Sequence, residues 1–135
     1  MWWSPPRLCL YSSGHKACLR SASGHYLVGE DGVIRPESHH HGDHGIFIIK
    51  HLYDDVVEIK NAHSGKYVAI DDTYVYLTHE HHEHNTKFHM EHHQGRVAFR
   101  VKYHNKYLGV HYYEHKVHAH HERTEAELFT EEILW

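Results

Sequence analysis

Histidine is the residue type whose abundance and spacing suggest chemistry in this chain. The sequence contains 21 histidines among 135 residues, and many fall into three dense clusters. An unperturbed imidazole changes charge between pH 5 and 8, and a neutral imidazole is also a ligand for zinc and copper. The clusters are therefore candidate sites for proton-dependent binding or for metal binding. They consist of His39, His40, His41, His44, His79, His81, His82, His84, His115, His118, His120 and His121.

The net charge of the chain depends strongly on these imidazoles. The chain has 14 Lys and Arg residues and 18 Asp and Glu residues, so its formal net charge is −4 while every histidine is neutral, and protonation of all 21 would raise it to +17. With an ordinary histidine pKa near ~6.5, roughly five imidazoles carry a proton at pH 7 and roughly ten at pH 6.5. We therefore predict a chain that becomes cationic just below neutral pH and then attracts anionic partners.

Three interpretations of the clusters remain open. Histidine could be polar filler on solvated loops, although Ser, Asn or Lys would serve there equally well. The clusters could bind divalent metal ions, so a histidine-rich metal-binding protein or buffer is the alternative function, but flexible loops lack the fixed geometry of a dedicated site and we assign none. A surface whose charge follows pH is favoured, because carboxylates such as Glu37 and Glu80 are interleaved with the clusters and stabilise nearby imidazolium groups.

Three kinds of anchor residue recur along the chain and indicate an internal three-fold repeat. The tyrosine anchors are 41 and 40 residues apart, the phenylalanine anchors 41 and 41, and the valine anchors 42 and 42. Regular spacing within alternating apolar segments predicts that the tyrosines and phenylalanines are core residues. The anchors are Tyr26, Tyr67 and Tyr107, Phe47, Phe88 and Phe129, and Val33, Val75 and Val117.

The pattern within each repeat indicates about four short strands. Apolar residues alternate in stretches such as 57–59 and 97–99, which is typical of half-buried strands. Gly24, Gly65 and Asn105 each precede a tyrosine anchor by two positions and tolerate a left-handed backbone, so we predict the same tight turn three times. A closed barrel leaves no open sheet edge. We therefore predict an all-β chain, a β-trefoil of three four-stranded repeats with pseudo-three-fold symmetry. Residues 16–135 form its single domain, and residues 1–15 form an N-terminal extension.

Several other functions lack their sequence signatures. The chain has no G-x-S-x-G, phosphate-binding glycine loop or H-E-x-x-H motif, so we expect neither catalysis nor a cofactor. Gln94 is the only glutamine, which rules out the Q-x-W repeat of sugar-binding trefoils. The formal charge and the lack of a basic stripe argue against nucleic-acid binding. Cys9 and Cys18 fit no zinc or redox spacing, and the N-terminus does not read as a secretory signal, so we expect an intracellular protein with reduced thiols.

The segments SGKYV (64–68), VYLTH (75–79), FHMEHHQGRV (88–97) and FTEEIL (129–134) resemble the hisactophilins, small histidine-rich β-trefoils, and the resemblance runs from about Lys16 to the C-terminus. It implies a monomeric, non-enzymatic protein that binds actin filaments more strongly as the pH falls. It also implies a cytoplasmic location with peripheral attachment to acidic lipids at the inner face of the plasma membrane. Hisactophilins are N-myristoylated on a glycine after the initiator methionine, but Trp2 occupies that position here, so we expect no myristoylation.

Overall fold

The computed structural model describes residues 14–80 and 84–134, and within them the chain is built from strands and two short 3-10 helices. No helix in these ranges is long and apolar enough to cross a membrane. The 3-10 helices span Gly42–Gly45 and Glu125–Glu127. The strands are β1 (Gly14–Ser21), β2 (Tyr26–Glu30), β3 (Val33–Glu37), β4 (Phe47–Tyr53), β5 (Val56–Asn61), β6 (Tyr67–Asp71), β7 (Tyr74–Thr78), β8 (Phe88–His93), β9 (Arg96–Val101), β10 (Tyr107–Val110), β11 (Val117–His120) and β12 (Phe129–Ile133).

Six of the strands close into a barrel. Strand β1 pairs with β12 and β4, and the ring is completed by the pairs β4–β5, β5–β8, β8–β9 and β9–β12, all antiparallel. The other six form the hairpins β2–β3, β6–β7 and β10–β11, which cap one end of the barrel, and β3, β7 and β11 contact one another there. A six-stranded barrel with three capping hairpins is a β-trefoil, so the predicted fold class is confirmed.

The phenylalanine anchors form the centre of the core, as predicted. Phe47, Phe88 and Phe129 are fully buried, and Phe99 joins them with its ring centroid 6.4 Å from that of Phe129. Each of these rings removes a large apolar area from water, which is the main favourable term in folding. The repeats therefore contribute equivalent side chains to one shared core.

The prediction that all three tyrosine anchors are core residues is wrong for two of them. Tyr67 is buried, but Tyr26 and Tyr107 are half-buried, although all three lie at the same position, where a capping hairpin meets the barrel. The Tyr26 hydroxyl donates to Glu132 Oε1 at 2.8 Å, and this hydrogen bond is the main reason that the pKa of Tyr26 is raised. A tyrosine suits such a position because its ring packs inward while its hydroxyl reaches a polar partner.

The valine anchor is displaced by one residue in the first repeat. Val75 pairs with Ile70, which is three residues after Tyr67, and Val117 pairs with Val110, which is three residues after Tyr107. In the first repeat the corresponding pair is Gly29 with Ile34, so Ile34 is the true equivalent. Ile34 is buried, whereas the predicted Val33 is 56% exposed. Side chains alternate along a strand, so a shift of one residue exchanges an inward position for an outward one.

The turn before each tyrosine recurs three times, but not with the same backbone. Gly24 and Gly65 adopt φ values of 90° and 72°, as predicted, whereas Asn105 is not among the described residues with positive φ. The third turn is nevertheless closed by the same kind of backbone hydrogen bonds as the other two, from His104 N to Val101 O at 3.3 Å and from Val101 N to Lys106 O at 2.9 Å. Because a left-handed backbone is not needed there, the residue can carry a side chain without strain.

Neighbouring hairpins are joined by contacts of the residue that precedes each tyrosine anchor. Lys66 Nζ donates to the Asp31 carbonyl at 3.1 Å, and Lys106 Nζ donates to the Asp72 carbonyl at 3.0 Å and to its carboxylate at 2.9 Å. The equivalent residue in the first repeat is His25, whose ring lies edge-on to His115 at 4.5 Å between centroids. The junction between the third and first repeats therefore lacks the lysine contact of the other two.

Replacement of this histidine by lysine should stabilise the fold. We expect His25→Lys to let the longer side chain reach the β10–β11 turn and to raise the free energy of unfolding at pH 7.5 by about 0.5 kcal/mol, the usual size of an exposed charged contact. Urea unfolding measures the difference. The mirror variant Lys106→His should lower stability by a similar amount, and a shift of both variants in the same direction would contradict this account.

Candidate functional site

The first histidine cluster occupies the connection between β3 and β4. His39, His40 and His41 are exposed, and His41 begins the first 3-10 helix with a left-handed φ of 54°. The His41 Nε2 atom lies 3.9 Å from Glu37 Oε1. These three imidazoles form a polar, accessible surface beside the cap.

The fourth member of the first cluster, His44, is fixed in the fold. Its ring is half-buried, its Nδ1 atom lies 3.0 Å from the Gly29 carbonyl oxygen, and its ring stacks on His63 at 3.7 Å between centroids. The fully buried Asn61 donates to the backbone carbonyl of His44 at 2.9 Å. His44 therefore helps to join the first repeat to the second, and sequence reasoning did not separate it from its exposed neighbours.

The second cluster follows β7. His79 and His84 are both exposed, and the His84 ring packs against the Tyr103 ring at 4.4 Å between centroids. This contact joins the second repeat to the third as the His44–His63 stack joins the first to the second. The other two predicted members, His81 and His82, lie outside the described residues.

The third cluster is organised around a carboxylate that the sequence analysis did not select. Glu127 is 1% exposed, and its Oε2 atom lies 3.2 Å from His118 Nε2, while His120 Nδ1 lies 3.9 Å from its Oε1 atom. The Thr124 backbone N–H and hydroxyl both donate to Oε1 at 2.7 Å. The rings of His118 and His120 are stacked, with centroids 5.7 Å apart and planes 3° from parallel.

The electrostatics at Glu127 result from opposing effects. Burial alone raises the pKa of this carboxyl, but the hydrogen bonds from His118 and Thr124 outweigh burial, so the pKa lies below its usual range. Glu127 therefore stays ionised near neutral pH and attracts protonated imidazoles on β11. His111 packs edge-on against His118, at 5.3 Å between centroids, and was also missed by the sequence analysis. The remaining members, His115 and His121, are exposed.

The three clusters are separate surfaces arranged around the three-fold axis. Each follows or includes the last strand of a capping hairpin, and those strands, β3, β7 and β11, meet at the cap. Within residues 14–80 and 84–134, no three His, Cys, Asp or Glu side chains form a three-ligand metal site. The described loops therefore present imidazoles outward instead of gathering them around one point.

Comparison with known proteins identifies the relatives of this chain. No protein-family model matches it. Over 78 residues it is 36% identical to Hisactophilin-3 of Dictyostelium discoideum. The chain is related to the hisactophilins. The aligned part covers 57% of this chain and 64% of Hisactophilin-3, so the chain matches less than two thirds of the length of Hisactophilin-3.

The fold of this chain also matches a solved structure. A designed three-fold symmetric protein, ThreeFoil, superposes with a TM-score of 0.79 over 87% of this chain and 97% of that one. The two sequences are only 16% identical, so the likeness shows the fold alone. It agrees with the closed barrel and the capping hairpins that the strand pairing gives.

The buried carboxylate of the third cluster should make stability depend on pH in acid. Because the pKa of Glu127 is lowered in the fold, its contribution is complete above the unfolded value of about 4.5 and is lost as the pH falls through the folded value. We expect Glu127→Gln to lower the free energy of unfolding by about 2 kcal/mol at pH 7, and by less at pH 3.5. Urea unfolding at both pH values measures this, with the exposed Glu122→Gln as the control. A loss of equal size at both pH values would contradict the assignment.

Proposed function

We propose that this chain is a pH-sensitive actin-filament-binding protein whose exposed histidine loops carry the contact. The observation that supports this most directly is that most of the described cluster members are exposed, in a chain that is similar to Hisactophilin-3. The proposal assigns binding to the described cluster members and to His81 and His82. It assigns no catalytic role to any residue.

The physical basis of the proposal is the change in surface charge. Exposed imidazoles take up protons between pH 7.5 and 6, and the formal charge of −4 with neutral histidines then becomes positive. An anionic filament surface attracts such a chain more strongly, and the attraction is screened by salt. Binding should therefore rise as the pH falls, with no conformational change required.

The same charge supports a second anionic contact. The proposal includes a cytoplasmic location, with peripheral association of the chain with acidic lipids at the inner face of the plasma membrane. Lipid headgroups attract a cationic surface by the same long-range electrostatics as an anionic filament. We propose a monomeric chain that presents its three histidine surfaces around one axis.

Co-sedimentation with filamentous actin tests the proposal. We expect strong binding at pH 6.0 to 6.5 and much weaker binding at pH 7.5 or above, because protonation supplies the positive charge. Binding at low pH should persist in the presence of a chelator and should fall as salt is added. Binding that is independent of pH, or that disappears with the chelator, would rule out the proton-dependent mechanism and would favour a metal-dependent contact.

The loop assignment is tested separately by removing imidazoles in matched numbers. We expect His39→Gln/His40→Gln to weaken actin binding at pH 6.2 by about fivefold, because each lost surface contact costs roughly 0.2 to 1 kcal/mol. The matched control is His92→Gln/His104→Gln, which removes two exposed imidazoles elsewhere. Equal weakening in the two variants would show that net charge alone is responsible, and would overturn the assignment to the loop.

A further inference from the structure

A second group of histidines lies at the end of the barrel opposite the capping hairpins. His15 is near the start of β1, where it pairs with Ile49 of β4, and His51 is near the end of β4, where it pairs with Val57 of β5. Side chains alternate along a strand, so His15 belongs to the same face as the buried Ala17. His51 belongs to the same face as the buried Ile49. Both histidines therefore continue inward-facing rows at the mouth of the barrel.

Three side chains from three strands are in contact at this mouth. The His15 Nε2 atom lies 2.6 Å from Glu131 Oε2 of β12, and the His15 Nδ1 atom lies 3.0 Å from His51 Nε2. The two rings are stacked, with centroids 5.1 Å apart and planes inclined by 26°. The Glu131 side chain is 10% exposed and that of His15 is 22% exposed, whereas His51 is open to solvent. The contact therefore has a buried, fixed side and an accessible side.

The carboxylate sets the tautomer of His15. Glu131 can only accept a hydrogen bond when ionised, so the His15 Nε2–H donates to it and the Nδ1 atom keeps its lone pair. That lone pair belongs to the nitrogen nearest His51 Nε2. In metalloproteins, a carboxylate that holds one imidazole nitrogen fixes the ring and makes the other nitrogen a better ligand. The arrangement thus supplies an orienting carboxylate and two neighbouring imidazole nitrogens.

We propose that His15 Nδ1 and His51 Nε2 bind one divalent transition-metal ion of the zinc and copper class, with Glu131 as the positioning residue for His15. Two nitrogens bound tetrahedrally to one zinc ion at ~2.0 to 2.1 Å are about 3.3 Å apart. The observed separation of 3.0 Å needs a movement of only a few tenths of an ångström. When the ion binds, the proton between the two nitrogens leaves His51 Nε2, and neutral His51 then carries its proton on Nδ1.

The remaining ligands of the ion are water molecules or an external group. No third protein donor converges on this point within the described ranges. His92 of β8 occupies the position equivalent to His51, four residues after the phenylalanine anchor. The site lies away from the loop clusters, so its existence does not depend on actin binding.

Zinc titration of the full chain at pH 7.5 tests the proposal. Nitrogen chemical shifts of the imidazoles, recorded as ZnCl₂ is added, identify the rings that respond to the first equivalent. We expect His15 and His51 to respond first, at Nδ1 and Nε2 respectively. Loop histidines should respond only at higher concentration, because their geometry is not fixed. A first equivalent that shifts the loop imidazoles and leaves His15 and His51 unchanged would overturn the assignment.

Variants distinguish a specific zinc site at His15 and His51 from non-specific zinc binding to histidines elsewhere in the chain. We expect His51→Gln to weaken the tightest zinc-binding step by at least tenfold, and the loop variant His39→Gln/His40→Gln to leave that step unchanged. Far-UV circular dichroism without metal serves as the folding control, and His51 is exposed enough for glutamine to be tolerated. Tight binding that survives His51→Gln would refute the site.

The positioning role of Glu131 has its own readout. Glu131→Gln should weaken zinc binding by roughly 10- to 100-fold, as is typical when the partner of a metal-bound histidine is altered. The metal-free variant should also lose the uniform Nε2–H tautomer of His15, which the nitrogen chemical shifts report directly. An unchanged tautomer together with unchanged affinity would show that Glu131 does not orient the ring.

Discussion

The pairing of the first described strand with the last is the interaction on which the rest of the structure depends. Strand β1 pairs with β12 over five residue pairs and with β4 over four, so it closes the ring between the two ends of the chain. Without this closure the barrel would be an open sheet with two unpaired edges. The phenylalanine core, the cap and the positions of the histidine loops all require the closed form.

The three repeats contribute equivalent residues to the core, but they differ in their polar contacts. The residues that follow the tyrosine anchors, Leu27, Val68 and Leu108, are fully buried at equivalent positions, because each repeat must fill the same space. Outside the core the repeats differ. Imidazole contacts join the first repeat to the second and the second to the third, and the third repeat places a buried glutamate among its histidines. The polar contacts that distinguish the repeats thus lie outside the shared apolar core.

The period of about 41 residues made the fold predictable, whereas contacts between distant residues were not. The sequence does not show whether a tyrosine or a valine in a strand faces the core or the surface. Tyr26 was therefore predicted to be a core residue, and Val33 was chosen as the valine anchor although Ile34 is the buried equivalent. The burial of Glu127 left a usable signal, because Thr124 and Glu127 form a capping box with the spacing T-x-x-E. His15 and His51 are 36 residues apart, and only the barrel register brings them together.

The structured histidines and the loop histidines respond differently to added protons. Four histidines that contact the barrel or its connections each lie beside a carboxylate, in the pairs His15–Glu131, His89–Asp55, His93–Glu91 and His118–Glu127. The hydrogen bond from His89 is the main cause of a lowered pKa at Asp55, and hydrogen bonds from His93 and from two other side chains lower that of Glu91 although its burial raises it. The lowered pKa values keep Asp55, Glu91 and Glu127 ionised as the pH falls towards 6, so a positive charge on the imidazole beside each of them is neutralised locally.

Protons taken up on the exposed loops have a different consequence. At His39 and His40 the charge is added to a solvated surface, where it changes the long-range field of the molecule and disturbs no buried contact. The proposed contact at these loop imidazoles and the imidazole–carboxylate pairs of the barrel therefore involve different residues.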